Sequence, residues 1–279
     1  MVLGVSSRTI GERRHTLSDL GKQIRLSRIF GHPSRRLFAV AVDHFVGYPR
    51  TMEEGLSSLP AALSAIMPAH PDSVTMYMGA AMHCWAPYSG TSALIVQVGA
   101  FTPDDRVREV LGEPEDAIRL GADAIAISIA VRGPSEGAYL RMLTDTVRRA
   151  ERYQLPVFAH IYPRQYGETV RIVSDPDNIA WAVRCGIECG ADVVKVAYPG
   201  DAAAFRDIVA ACPAPIVAAG GERAPSLDIA LETSRLAIDA GARGVTIGRN
   251  VWGAQDPLAA ARAFAAVVHK DRLPAESLG

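Results

Sequence analysis

An alternation of apolar β-type runs with helix-like stretches begins at Leu37 and continues almost to the end of the chain. Strands that are apolar on both faces are typical of parallel sheets covered by helices. Eight such strand–helix units in a chain of 279 residues fit a closed (β/α)8 barrel. We therefore predict an α/β fold, a TIM barrel that occupies residues 37–279 as one domain. The predicted strands are Leu37–Asp43, Ser73–Met78, Ala93–Val98, Asp123–Ser128, Pro156–Tyr162, a sixth strand around Lys195, Pro215–Ala219 and Gly244–Gly248.

Residues 1–36 precede this alternation and are polar and basic. A capping-like pattern from Thr16 to Asp19 predicts a short helix near Thr16–Phe30. We interpret this segment as an N-terminal helical extension that covers the bottom of the barrel or contacts a neighbouring subunit. The second predicted helix spans Met52–Ile66, and Gly79–Tyr88 is predicted to be a loop.

Three of the predicted strands are introduced by nearly the same phrase, Gly121-Ala-Asp123, Gly190-Ala-Asp192 and Gly241-Ala-Arg243. The glycine suits the left-handed residue that ends a helix, with the next strand following at once. We interpret the phrase as a structural repeat.

The composition excludes several classes of protein. A net charge of −1 gives no general attraction to nucleic acid or to a membrane surface. No apolar run reaches the roughly 18 residues of a transmembrane helix, and residues 1–14 lack the apolar core of a signal peptide. The four cysteines form no C-x-x-C pair, which favours reduced thiols and a cytoplasmic location.

One lysine stands within an apolar strand. The chain has only three lysines, and Lys195 is the one with buried-looking neighbours on both sides. Burial makes an ammonium group costly, lowers its pKa and makes the neutral amine accessible, as Schiff-base chemistry requires. The alternative is a lysine at a strand end whose charge reaches solvent or a carboxylate.

Glycines follow the last two strands, where (β/α)8 barrels often bind phosphate through backbone N–H groups. Gly220 and Gly221 follow the seventh strand, and Gly248 follows the eighth with Arg249 beside it. These residues are a candidate phosphate site, and the alternative is a pair of tight turns without a ligand.

Further polar residues cluster at the predicted carboxyl ends of the strands. Asp43 is a candidate partner for substrate hydroxyls or for a carbinolamine, or else a helix cap. His44 beside it could point into the site or outward, because neighbouring strand residues face opposite sides. Tyr162 could transfer protons near a protonated Schiff base, or pack at the barrel rim. His160 faces the same side and lines the site or is a core histidine. Gln97, Ser128 and Arg164 also belong to this set of strand-end residues, as do His83 and Arg132, and Arg164 is a candidate substrate ligand.

Five motifs occupy these positions in a fixed order, namely Val42-Asp-His44, Tyr162-Pro-Arg164, Ala191-Asp-Val-Val-Lys195, Ala219-Gly-Gly221 and Gly248-Arg-Asn-Val251. From about Leu37 to Val268 the chain thereby resembles the class I aldolases of the archaeal fructose-bisphosphate type. That family includes aminodideoxyheptulosonate synthases and a thiolase acting on phosphorylated autoinducer-2. The resemblance implies a Schiff base at Lys195, proton transfer by Tyr162 and assistance by Asp43, with the phosphate held by the two glycine loops and Arg249. It also implies a homo-oligomer, commonly a decamer.

The chain departs from the family pattern at three places. Phe45 stands where a glycine usually follows Asp-His, and His160 stands where many of the aldolases have tryptophan. Glu222-Arg223 follows the paired glycines, where the fructose-bisphosphate aldolases tend to have proline and lysine. These departures argue against fructose 1,6-bisphosphate as the substrate, and the Tyr-Pro-Arg motif argues against the thiolase.

The expected function is a class I aldolase that cleaves or forms a C–C bond in a phosphorylated ketose, with no metal and no cofactor. Two alternatives are a thiolase-type lyase acting on a phosphorylated diketone and a catalytically inactive phosphosugar-binding barrel. A phosphorylated sugar is the expected partner, with no nucleic acid and no membrane.

Overall fold

The computed structural model describes residues 19–44 and 55–270. Its strands are β1 (Leu37–Ala41), β2 (Ser73–Tyr77), β3 (Ala93–Gln97), β4 (Gly99–Phe101), β5 (Arg108–Val110), β6 (Ala124–Val131), β7 (Val157–Gln165), β8 (Arg171–Ile172), β9 (Val193–Ala197), β10 (Ile216–Ala219) and β11 (Gly244–Ile247). Its α-helices are α1 (Leu20–Ile29), α2 (Leu59–Ile66), α3 (Met78–Cys84), α4 (Pro114–Arg119), α5 (Glu136–Glu151), α6 (Pro176–Glu188), α7 (Ala202–Ala211), α8 (Leu227–Asp239), α9 (Arg249–Trp252) and α10 (Pro257–Lys270).

Eight of the strands form a closed parallel barrel. The ring runs β1, β2, β3, β6, β7, β9, β10 and β11, and β11 pairs again with β1. Helices connect the wall strands and cover its outer surface, so the predicted (β/α)8 TIM barrel is confirmed. The short strands β4 and β5 form a separate antiparallel hairpin, and β8 pairs antiparallel with the end of β7.

The barrel wall divides the core into two apolar clusters, because successive side chains of a strand point to opposite faces. Phe38 and Val40 of β1 point outward and pack under the helices. Leu37 and Ala39 point inward, where they meet the inward-facing residues of other strands. The inner cluster fills only the half of the barrel nearest the strand N-termini. The remaining interior, toward the carboxyl ends, is available for polar side chains.

The N-terminal helix α1 closes the bottom of the barrel. Ile29 at its end and Phe30 just after it belong to the inner apolar cluster, and Ile29 is fully buried. The side of the same helix away from the barrel exposes Leu20 and Ile24. Of the two interpretations of this segment, covering the barrel is therefore the one that the described residues display.

The repeated Gly-Ala-Asp/Arg phrase contributes to this closure. Each of its glycines has a positive φ, between 70° and 104°, as expected for a left-handed helix end. The third residue of every copy contacts the N-terminal segment. Lys22 pairs with Asp192 at 3.0 Å, Arg28 pairs with Asp123 at 3.0 Å, and Arg243 donates to the Arg35 carbonyl at 2.9 Å.

Several local predictions differ from the structure. The predicted loop Gly79–Tyr88 is wrong, because Met78–Cys84 forms helix α3 and Ala86–Tyr88 a single 3₁₀ turn. Helix α2 begins at Leu59, and the predicted start at Met52 lies outside the described residues, as do Thr16 and Phe45. The β4–β5 hairpin was not predicted.

Within residues 19–44 and 55–270, no helix is both long and apolar enough to cross a membrane. All four cysteines lie in this part of the chain and are free thiols.

Candidate active site

Polar side chains occupy the barrel interior toward the carboxyl ends of the strands. They continue the inward-facing positions of the apolar cluster, since each lies two or four residues beyond an inward-facing residue of the same strand. These residues are Asp43, Gln97, Ser128, His160, Tyr162 and Lys195. The two-residue period of strands therefore brings together residues that are distant in the chain, since Asp43 and Lys195 are 152 positions apart.

Lys195 lies at the centre of this region. It is paired in register with His160 of β7 on one side and with Val217 of β10 on the other, and it is only 7% exposed. Burial lowers the pKa of Lys195 below its usual value; the charge of Asp43 opposes this shift and that of Arg249 adds to it. A larger share of the amine is therefore neutral at physiological pH, the form that attacks carbonyl carbon.

Asp43 is held by a neutral amide. Gln97 Nε2 donates to Asp43 Oδ2 at 2.9 Å and to Ser128 Oγ at 2.9 Å, and it lies 3.3 Å from His160 Nδ1. The Gln97 side chain is nearly fully buried. The carboxylate consequently faces the lysine pocket from a fixed direction.

Two histidines flank the lysine, and neither carries a charge near neutral pH. Burial lowers the pKa of His44 to about 4, against the raising effect of Asp43, with the charges of Lys195 and Arg249 lowering it further. Burial also lowers the pKa of His160 well below its usual range, and Lys195 adds to that shift. His44 lies with its Nδ1 3.7 Å from Asp43 Oδ1 and its ring edge-on to Trp252.

A small pocket opens onto these groups, and Tyr162 forms part of its wall. The Tyr162 ring packs against Phe101 of the β4–β5 hairpin, with ring centroids 5.1 Å apart. Tyr77 is fixed by donating its hydroxyl hydrogen to the Gly99 carbonyl at 3.1 Å. The lining residues are Asp43, His44, Tyr77, Gly99, Phe101, Ser128, Tyr162 and Lys195. The structure thus brings a lysine, a carboxylate and a phenol to one cavity.

Arg164 does not line this pocket. Its side chain is fully buried and its guanidinium binds Asp105 Oδ1 at 2.7 Å, Ser135 Oγ at 2.7 Å and two backbone carbonyls. These partners come from the loops that follow the β4 strand and the β6 strand. Arg164 therefore joins loops around the site, and its two Nη groups are directed to protein groups.

The predicted phosphate loops adjoin the pocket. Gly221 has a φ of +67°, and a Cβ atom at Gly248 would collide with the ring of His44. Arg249 begins helix α9 directly after Gly248 and acts electrostatically on both Lys195 and His44. Both glycines thus have conformational or packing reasons to be glycine, whether or not phosphate is bound.

Two residues of the site had no predicted role. Gln97 was visible only as a polar residue at a strand end, and nothing in its neighbours signals that it bonds to Asp43. Asn250 holds the loop after β10, since its Nδ2 donates to the carbonyls of Gly220 and Glu222 at 3.0 Å and its Oδ1 accepts from the Ala224 N–H at 2.8 Å. Asn250 belongs to the motif Gly248-Arg-Asn-Val251, in which only Gly248 and Arg249 had a predicted role.

The described part of the chain contains no group of three or more His, Cys, Asp or Glu side chains arranged to hold a metal ion.

Comparison with known proteins gives a consistent set of relatives. The family model described as DeoC/LacD family aldolase matches residues 37–254. The 2-amino-4,5-dihydroxy-6-oxo-7-(phosphonooxy)heptanoate synthase of Streptomyces griseus is 31% identical over 256 residues, covering 90% of this chain and 92% of the synthase. The 3-hydroxy-5-phosphonooxypentane-2,4-dione thiolase of Photorhabdus laumondii subsp. laumondii is 31% identical over 258 residues, covering 91% of this chain and 84% of the thiolase.

A solved structure is similar over nearly the whole fold. It is that of an archaeal fructose-1,6-bisphosphate aldolase whose catalytic lysine is covalently bound to the carbinolamine intermediate of its substrate. It superposes with a TM-score of 0.77 at 26% identity and covers 89% of this chain and 99% of its own.

Proposed function

The chain belongs to the DeoC/LacD aldolase family, and from this premise we propose that it is a class I aldolase acting on a phosphorylated ketose through an imine at Lys195. The observation that carries the proposal is the buried, pKa-lowered Lys195 in a pocket shared with Asp43 and Tyr162. The covalent lysine intermediate of the archaeal aldolase supports the same chemistry.

The first half of the reaction forms the electron sink. Neutral Lys195 adds to the ketone carbon, and the carbinolamine that results loses water to give an iminium ion. Asp43, held by Gln97, lines the same pocket as Lys195 and stabilises the cation through its charge. The hydroxyl group of the carbinolamine takes up a proton from the acid–base groups of the pocket and departs as water.

The second half breaks the C–C bond between the carbon next to the iminium and the hydroxyl-bearing carbon beyond it. The hydroxyl proton passes to the phenolate form of Tyr162, which becomes the neutral phenol; the bonding electron pair moves into the iminium to form an enamine, and an aldehyde leaves. The enamine is then protonated and its iminium hydrolysed, which frees Lys195. In the synthetic direction, the enamine attacks a different aldehyde. Acid–base help of this kind accelerates reactions by about 10²- to 10⁴-fold.

The phosphate would be held by the glycine loops. The S. griseus synthase and the P. laumondii thiolase both carry a phosphonooxy group in the names of their compounds, which supports a phosphorylated substrate here. Gly220, Gly221, Gly248 and Arg249 are the residues proposed to bind it. Arg249 supplies a charge beside the backbone N–H groups.

A cleavage assay with a panel of phosphorylated ketoses tests the proposal. We expect aldehyde release by the wild-type protein and none by Lys195→Met, which keeps most of the side-chain volume. Lys270→Arg, a change at an exposed lysine, is the matched control and should retain full activity. Undiminished activity in Lys195→Met would refute the lysine mechanism, and no cleavage or condensation with any ketose phosphate would favour an inactive phosphosugar-binding barrel.

A thiolase-type reaction is the second candidate, because the thiolase from P. laumondii matches 91% of this chain. The same lysine would then activate a phosphorylated diketone for acyl transfer to coenzyme A. Measuring product formation with and without coenzyme A separates the two. An aldolase is unaffected by coenzyme A, whereas a thiolase requires it.

We propose with this function a homo-oligomer, a decamer by resemblance, and a cytoplasmic location. The exposed Leu20 and Ile24 on α1 support an apolar contact between subunits, and the four free thiols support a reducing compartment. Sedimentation of the purified protein tests the assembly: a single species of monomer mass would contradict it.

A further inference from the structure

We infer that Gln97 is a positioning residue that orients Asp43 and sets the tautomer of His160 for the proton steps of the reaction. This inference rests on the proposed function. It is carried by one buried amide, which touches both groups and is itself fixed by the backbone.

The orientation of the Gln97 amide is determined by a group that can only donate. The Gly99 backbone N–H donates to Gln97 Oε1 at 3.0 Å. The oxygen must therefore face Gly99, and the NH₂ group faces the lysine pocket. Val98 is the single residue between β3 and β4, and its own backbone bonds to Ala126 and Leu111 hold this segment in place.

The NH₂ group has two hydrogens and three neighbouring acceptors. The Asp43 carboxylate, at 2.9 Å, is the strongest acceptor and takes one of them. Ser128 Oγ at 2.9 Å and His160 Nδ1 at 3.3 Å share the other. Because an amide does not titrate, Gln97 offers this donor to Asp43 at every pH at which the enzyme is folded.

The same contact fixes His160. An N–H on His160 Nδ1 would point at the hydrogens of the Gln97 NH₂ group, so Nδ1 must be unprotonated and the imidazole proton must lie on Nε2. His160 is paired in register with Lys195, and it is buried and neutral. Gln97 thereby decides which His160 nitrogen can donate in the pocket.

Charges near this network come from several elements. The titratable and charged groups that face Asp43 and the Gln97 amide are His44, Tyr77, His160, Tyr162, Lys195 and Arg249. Replacing the neutral amide with a carboxylate at this point would place two acids within hydrogen-bonding distance. Such a pair shares a proton and titrates at higher pH than a single acid.

The test separates imine formation from proton transfer, using dihydroxyacetone phosphate as the probe. Borohydride trapping measures the imine at Lys195, and deuterium exchange into the probe in D₂O, followed by NMR, measures proton transfer at the carbon beside it. The variants are Gln97→Met, which removes the amide, and Gln97→Glu, which keeps the acceptor for Gly99. Gln154→Met is the control, because it removes a side-chain acceptor, the one for the Gly21 N–H, at the opposite end of the barrel.

We expect Gln97→Met still to give a borohydride-stable adduct at Lys195, because Lys195 and Asp43 are both present, but to exchange deuterium about 10- to 100-fold more slowly, the loss expected for a hydrogen bond to a charged group. Gln97→Glu should shift the acidic limb of the exchange–pH profile to higher pH by about one unit. Gln154→Met should lower the melting temperature and leave both rates unchanged.

Two results together would overturn the inference in folded variants. The exchange rate of Gln97→Met would stay within twofold of the wild type, and the acidic limb of the Gln97→Glu profile would not shift. If Gln97→Met does not fold, the Gln97→Glu profile decides alone. Failure of the wild-type protein to trap any imine would overturn the proposed function instead, so the two failures are distinguishable.

Discussion

Lys195 and His160 are register partners on adjacent strands of the barrel, and both side chains are buried. Burial lowers the pKa of the histidine, and charge on the lysine lowers it further. The histidine is consequently neutral near neutral pH and does not compete with the lysine for Asp43. The pair gives the pocket a single titrating amine.

The charges beside Lys195 should move its pKa in opposite directions. Arg249 lowers that pKa and Asp43 raises it. We expect Arg249→Met to shift the pH midpoint of borohydride trapping upward and Asp43→Asn to shift it downward. Dihydroxyacetone is the appropriate probe, because it has no phosphate for Arg249 to bind. Midpoints that move together, or in the reverse order, would contradict this electrostatic arrangement.

Tyr162→Phe should separate binding from bond cleavage. The substitution keeps the ring that packs on Phe101 and removes only the hydroxyl. Imine trapping at Lys195 should persist, while the rate of ketose cleavage falls by about 10²- to 10⁴-fold. Tyr166→Phe, at an exposed tyrosine, is the matched control. Equal cleavage rates in the wild type and Tyr162→Phe would assign the proton transfer to another group.

Arg164→Met should be a stability variant. Removing the guanidinium leaves the Asp105 carboxylate with only the hydroxyl donors of Ser135 and Tyr139, and breaking a buried ion pair costs about 3 kcal/mol. We expect a lower free energy of unfolding in urea, with a KM for the phosphorylated substrate close to that of the wild type. Arg171→Met, at the exposed strand β8, should change neither quantity. A large rise in KM without loss of stability would show that Arg164 binds substrate.

The protein should lose stability as the pH falls below about 6.5. The folded-state pKa of His44 is about 4, below the ordinary 6.5, so the unfolded chain binds a proton that the folded protein does not. This contribution is fully present above pH 6.5 and disappears as the pH approaches 4. Between about pH 7.5 and pH 5, His44 alone contributes on the order of 2 kcal/mol.

Urea unfolding at the two pH values measures this effect. His44→Gln should flatten the dependence on pH, whereas His83→Gln, at an exposed histidine of α3, should leave it unchanged. An identical pH dependence in the wild type and His44→Gln would rule out the depressed pKa.

Sequence periodicity was sufficient for the barrel and for much of the pocket. Lys195, Asp43 and Tyr162 could be placed at strand ends, and the two-residue period of strands explains why they face one interior. The hairpin of β4 and β5 could not be predicted in this way. Its strands have three residues each, and Arg108–Val110 is exposed throughout, so no apolar alternation marks it.

Contacts between distant loops were the other limit. Arg164 follows Tyr162 in a recognisable motif, but its partners Asp105 and Ser135 lie on loops whose approach depends on the closed barrel. Gln97 is similar, since its bond to Asp43 joins the ends of two strands that are not neighbours in the ring. Such pairings are determined by tertiary packing and have no local pattern.

Mass spectrometry after borohydride reduction tests most directly whether Lys195 forms the imine. The protein is incubated with dihydroxyacetone phosphate, reduced and digested, and the three lysines, Lys22, Lys195 and Lys270, are examined for a stable adduct. We predict one adduct per chain, on Lys195. An unmodified Lys195, or an adduct confined to Lys22 or Lys270, would contradict it.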